Sequence, residues 1–136
     1  MKKAFIFLPL IVVLIMSCAK SDDAATITPP PVNEPQIAFS LDAVDNSIAL
    51  SSNFAVTATL TSTLPSAQGV KIEVTVLDQT SSSSISQSAA VTSTVSSNAL
   101  QLISLPQQHL CSATIKVSSV KTPSNNASKS FTVVYK

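Results

Sequence analysis

Between residues 54 and 76 the chain is written in a period of two. Phe54, Val56, Ala58 and Leu60 alternate with Ala55, Thr57, Thr59 and Thr61. Val70, Ile72, Val74 and Val76 then alternate with Lys71, Glu73 and Thr75. Successive side chains of a strand point to opposite faces, so this alternation describes strands with one buried and one solvated face and excludes a helix over the same residues. Between the two runs stands Leu64-Pro65-Ser66-Ala67-Gln68-Gly69, which holds a proline and the only glycine of the 136 residues. Glycine reaches positive φ without a Cβ clash, so a loop is expected there.

The same reading extends to the end of the chain. Cys111, Ala113, Ile115 and Val117 alternate with Ser112, Thr114, Lys116 and Ser118, residues 121–128 read as a polar turn, and Phe131, Val133 and Tyr135 form the inward phase of a last strand. Shorter strands are expected at 37–41, 48–50, 89–95 and 100–105. No amphipathic helical stretch follows the first 17 residues. Seven or eight short strands in roughly 100 residues predict an all-β antiparallel sandwich, and a domain of that size needs neither metal nor disulfide to hold its core. The apolar share of 45 %, rich in valine and isoleucine among serine and threonine, agrees with strands rather than disorder.

Residues 1–17 carry a different pattern. Lys2 and Lys3 precede an apolar run over 4–16, broken only by Pro9, too short to span a bilayer as a stop-transfer helix, and so read as a signal peptide. The run ends Ile15-Met16-Ser17-Cys18, which resembles the lipobox of bacterial lipoproteins, although Met16 departs from the small residue usual there. The resemblance implies that the Cys18 thiol receives a diacylglycerol and that the chain is cut before it. It places a lipidated cysteine and linker over 18–35 and the folded domain over 36–136. Each buried methylene contributes about 0.8 kcal/mol, so two or three acyl chains make a durable anchor.

After the cysteine, Ala19-Lys20-Ser21-Asp22-Asp23 resembles the short acidic export signal of Bacteroidetes-type surface lipoproteins. Lys20, Ser21, Asp22 and Asp23 would then direct the protein to the outer face of the outer membrane, a periplasm-facing position being the alternative. Pro29, Pro30, Pro31 and Pro35 favour an extended spacer. The closing stretch, LPQQHLCSATIKVSSVKTPSNNASKSFTVVYK, resembles in pattern the last two strands of bacterial immunoglobulin-like and fibronectin-III-like domains. It lacks their buried tryptophan and has Leu110 at the usual tyrosine corner.

Charge narrows the partners. The chain has no arginine, and its net charge is +1, two of its lysines lying in the leader. Nucleic-acid affinity depends on many phosphate contacts, so nucleic acid is not an expected partner.

Catalytic signals are sparse. His109, the only histidine, shares a strand phase with Cys111, which raises a thiol–imidazole pair. Residues two apart on a strand lie about 6–7 Å apart, and no neighbouring acid in the sequence orients the ring, so Cys111 is expected to be a free, buried thiol and His109 a strand-entry residue. Asp42-Ala43-Val44-Asp45-Asn46 offers two carboxylates and an amide, and with Asp78 converging from another loop it would approach a calcium site, against a plain polar turn. The HExxH, CxxC, GxSxG and phosphate-loop motifs are missing. Neither enzymatic activity nor a cofactor is expected.

Phe39, Phe54, Phe131 and Tyr135, the aromatics after the leader, all fall on the inward phase, which deprives a sugar site of its usual stacking platform. Two roles remain: a surface module that contacts another cell-envelope protein through a sheet edge or a serine- and threonine-rich face, or a glycan-binding accessory of an outer-membrane polysaccharide-uptake system. The second would use the loops over 80–88 and 122–128, which read equally as solvated connectors.

Overall fold

The computed structural model describes residues 33–136. Nine strands and no helix form among them: β1 (Phe39–Leu41), β2 (Ser47–Ala49), β3 (Phe54–Leu60), β4 (Val70–Asp78), β5 (Ser83–Ile85), β6 (Val91–Ser93), β7 (Ser97–Leu102), β8 (Leu110–Ser119) and β9 (Asn126–Tyr135). A three-stranded sheet runs β1-β3-β7 and a larger one β2-β9-β8-β4-β5, with β6 also beside β4. The class is the all-β sandwich that the alternation predicts.

Each long strand buries the phase its sequence marks. Val56, Ala58, Leu60 and Leu102 from the smaller sheet meet Ile72, Val76, Ile115 and Phe131 from the larger in one core. Ile72 and Ile115 are almost fully enclosed, and burying such a side chain stabilises the fold by about 1.5–3 kcal/mol. Phe54 and Phe131 reach across the two layers with ring centroids 6.0 Å apart.

Four features differ from the sequence reading, the first being that the strand expected at 100–105 is β7 at Ser97–Leu102. Not every pair is antiparallel: β2 runs parallel to β9, with Ser47 opposite Val133 and Ala49 opposite Tyr135. The chain passes from the smaller sheet to the larger between β1 and β2, so β2 joins a strand distant in sequence rather than a hairpin neighbour. Residues 80–88, read as a loop, contain β5, whose residues are too polar to alternate visibly but pair with the end of β4. The closing turn is shorter than 121–128, because β9 already begins at Asn126 opposite Ser118.

A chain with a single glycine must also place other residues in the left-handed region. Gly69 has φ 78°, and Asn46, Ser82, Ser104 and Gln108 join it at 61°, 57°, 60° and 62°. Ser82 turns the β4–β5 hairpin, while Asn46 sits where the chain enters β2.

Candidate functional site

The expected lipidation residue Cys18 and the export-signal residues Lys20, Ser21, Asp22 and Asp23 lie outside the described residues. Within the sandwich, the polar groups that drew attention in the sequence fall at its rims and on its solvent faces.

At one rim the inward phase of β4 and β8 turns polar. Asp78 lies opposite Cys111, and its Oδ2 accepts a hydrogen bond from Ser81 Oγ at 2.5 Å and stands 2.7 Å from His109 Nδ1. Thr80 N donates to its Oδ1 at 2.8 Å. The sequence offers no acid near His109, and the structure corrects this: Asp78, 31 residues away in sequence, orients the ring because strand register brings the two together. The Ser81 hydroxyl first, and His109 second, hold the Asp78 carboxyl well below the usual carboxylate range.

This cluster does not activate the thiol. Cys111 is free and only 1 % exposed, and burial first, with the Asp78 charge second, pushes its thiol up rather than down. The ring nitrogen nearest the carboxylate is engaged with it, and Ser81 donates to the same carboxylate rather than to the imidazole. The three groups close the β4–β5 hairpin and the entry of β8, a structural arrangement rather than a nucleophile–base–acid relay.

The acidic turn serves the crossover between sheets. Asp42 Oδ1 accepts from Thr57 N at 2.7 Å, and this bond is the leading reason its carboxyl is held low. Asp45 Oδ1 accepts from Thr132 N at 3.0 Å, while Asn46 N donates to Thr132 Oγ1 at 2.8 Å. One carboxylate thus ties the chain to β3 and the other to β9, as it leaves one sheet for the other. The convergence of Asp42 and Asp45 with Asp78 that a calcium site would require is not found: the first two bond to different strands, and Asp78 to the β4–β5 hairpin and His109. No group of three metal-capable side chains occurs among the described residues.

The aromatics are core elements. Phe39 and Phe131 are buried, and Phe54 and Tyr135 are half-buried against the core. The solvent face of the larger sheet is instead hydroxyl-rich. Thr75, Thr114 and Ser130 lie abreast on β4, β8 and β9, with Thr114 and Ser130 bonded at 2.7 Å. In the next row Glu73 lies opposite Lys116 and pairs with Lys71 Nζ at 2.8 Å. Lys71, and more weakly Lys116, hold the Glu73 carboxyl low. Two open depressions of about 360 and 260 Å³ share Glu73 and Lys116.

Two side chains overlooked in the sequence bind the structure together. Gln87 donates through Nε2 to Ile103 O at 3.1 Å and accepts through Oε1 from Ile103 N at 3.0 Å, fastening the β5–β6 connection to the end of β7. Asn125 accepts from Ile37 N at 3.0 Å and donates to Pro35 O at 2.9 Å, securing the entering chain. Neither role has a local signal, since an isolated amide in a polar run looks like any solvated one. No protein-family model matches the chain, and no curated protein matches it.

Proposed function

We propose that this protein is a lipid-anchored, non-catalytic lipoprotein whose immunoglobulin-like sandwich is an interaction module held at the outer membrane, facing the cell exterior. The single observation carrying the interaction role is how the polar side chains are used. Asp42, Asp45, Asp78 and His109 are committed to hydrogen bonds that hold strands and turns, which leaves flat hydroxyl-rich faces and a strand edge as the surface available for recognition. The anchor rests on the lipobox resemblance at Cys18, and the outward position on Lys20 to Asp23. The order β1-β3-β7 facing β9-β8-β4 supports the immunoglobulin-like reading, because it matches strands A-B-E over G-F-C of that architecture.

Fatty-acid labelling of cells tests the anchor: Cys18→Ser is expected to abolish label and release the protein, and persistent labelling overturns it. Protease treatment of intact cells reads the orientation. Crosslinking on intact cells is expected to trap a defined envelope protein. A second reading, glycan binding, draws on the depressions around Glu73 and Lys116, whose charges and hydroxyls suit sugar hydroxyls and carboxylates. Retardation of residues 33–136 in polysaccharide-containing gels, lost in Lys116→Glu, would favour it over the protein-interaction reading.

A further inference from the structure

Between the β4 and β7 edges the two sheets leave a slot that the core does not seal. Val74 lies on the inward phase of β4 yet is only half-buried, while Ile72 and Val76 on either side of it are enclosed. Leu100 of β7 is half-buried as well. With Ala89, Val91, Ala99 and Gln101 these two line a cleft of about 180 Å³. β5 and β6 pair with the two ends of β4, and the connection between them spans the gap at Val74.

Unspent backbone groups border the slot on both sides. Gln79 N donates to Leu110 O and Val120 N to Gly69 O, and bonded pairs alternate along an antiparallel ladder, so the even-numbered residues of β4 turn their backbone groups away from β8. Val70, Ile72, Val76 and Asp78 meet β6 or β5 there, whereas those of Val74 find no partner among the described residues. By the same alternation, with Leu60 N bonded to Ser96 O, Ala99 and Gln101 of β7 turn theirs outward, again with no partner among the described residues. The next outward residue, Ile103, shows what satisfies such an edge. The planar amide of Gln87 accepts from Ile103 N at 3.0 Å and donates to Ile103 O at 3.1 Å.

We propose that this cleft binds the acetamido group of an N-acetylated sugar. Such a group carries in one plane the same donor and acceptor as the Gln87 amide, here for the outward C=O and N–H groups of Ala99 and Gln101, and its methyl meets Val74, Val91 and Leu100. A dry apolar cavity of about 150 Å³ takes one benzene ring, so the cleft admits an acetamido group and leaves the hexose ring, with its hydroxyls, outside. The ring then lies over the adjoining depression of about 360 Å³, which shares Val74 and Ser88 with the cleft and adds Thr75, Thr114, Lys116 and Ser128. No aromatic platform is required, because the apolar contact falls on the methyl rather than on a ring face. This rests on the glycan-binding reading and deepens it by naming the sugar class and the group recognised.

Titration of residues 33–136, which contain every core residue of the sandwich, with N-acetylglucosamine, followed by backbone-amide NMR, tests this. The amides of Val74, Ser88 to Val91 and Ala99 to Gln101 are expected to shift, with a dissociation constant on the order of 1 mM. Glucose, which lacks the acetamido group, is expected to bind at least about tenfold more weakly. Ala89→Phe sets a ring in the cleft from an exposed position, and Ala99→Pro deletes an outward N–H where an edge strand tolerates proline. Both are expected to melt near wild type and to weaken binding of N-acetylglucosamine at least about tenfold.

N-acetylglucosamine that shifts no cleft amide up to about 50 mM overturns the proposal. So does glucose binding as tightly, binding that both variants leave unmoved, or tighter binding of an acetyl-lysine peptide, whose amide carries the same methyl without the sugar. In each of these cases, retardation in a polysaccharide gel that is lost in Lys116→Glu leaves the glycan-binding reading standing. Failure of that reading shows separately, as no retardation by any polysaccharide, polymers of N-acetylglucosamine included.

Discussion

Gly69 offers the sharpest test of how this fold closes, because two separate costs meet there. Its φ of 78° lies in the left-handed region, where an L-residue with a Cβ costs about 1–2 kcal/mol. A Cβ added at this position would also fall against the Ser93 carbonyl oxygen well inside contact distance, 2.9 Å from the Ser93 carbonyl carbon and 3.0 Å from Thr94 Cγ2. The obstruction is largely backbone, so no rotamer change relieves it. Either β6 shifts and loses its pairing of Ser93 with the fully buried Val70, or the loop entering β4 rebuilds.

Overpacking of this kind adds about 1–3 kcal/mol, so Gly69→Ala is expected to destabilise the domain by roughly 3 kcal/mol. At about 4–8 °C per kcal/mol for a domain near 100 residues, that is a fall in Tm of about 12–24 °C. Urea and thermal unfolding of residues 33–136, followed by far-UV circular dichroism, measure it. Gly69→Asn separates the two costs, because asparagine tolerates the left-handed region but still carries a Cβ. An alanine variant within about 0.5 kcal/mol of wild type would refute the reasoning altogether, since ordinary surface changes have effects of that size. Recovery in the asparagine variant would refute the close approach and leave only the φ preference.

Gln87→Ala removes the two bonds to Ile103 and is expected to cost about 1–2 kcal/mol by urea unfolding, with Gln87→Met, similar in shape but without the amide, losing as much. Cys111 is enclosed and its thiol is held protonated, so a thiol reagent is expected to label the native domain only through opening, at a rate that rises steeply in denaturant; immediate stoichiometric labelling would contradict its burial. Asp78 has a depressed folded-state pKa, so its contribution is present in full above its unfolded value of about 4 and is lost as pH falls below that toward the folded value. The gap in urea midpoint between wild type and Asp78→Asn is therefore expected to hold steady from neutral pH to about pH 5 and to narrow below about pH 4.

The aspartates show where local reading stops. Each looks alike in the sequence, a carboxylate in a polar turn, and a shared cation was one way to join them. In the fold Asp42 continues β1 along β3, Asp45 secures the passage to β9, and Asp78 closes a hairpin and orients His109. Those assignments depend on which strands stand side by side. The 31 residues between Asp78 and His109 carry no local mark of the register that joins them. The β5 strand was hidden for a related reason, since its serines follow the pairing of β4 rather than any hydrophobic pattern of their own.

From sequence alone came the period of two, and with it the strands, the all-β class and the inward phase holding Phe39, Phe131 and Cys111. That information is local: a side chain's face follows from its position along its own strand. Tertiary structure alone decided the parallel β2–β9 pair, the uses of Asp78, Gln87 and Asn125, and which strands lie at the sheet edges. Pairing joins residues tens of positions apart, and its outcome depends on how two sheets close over one core, which no single stretch of chain records.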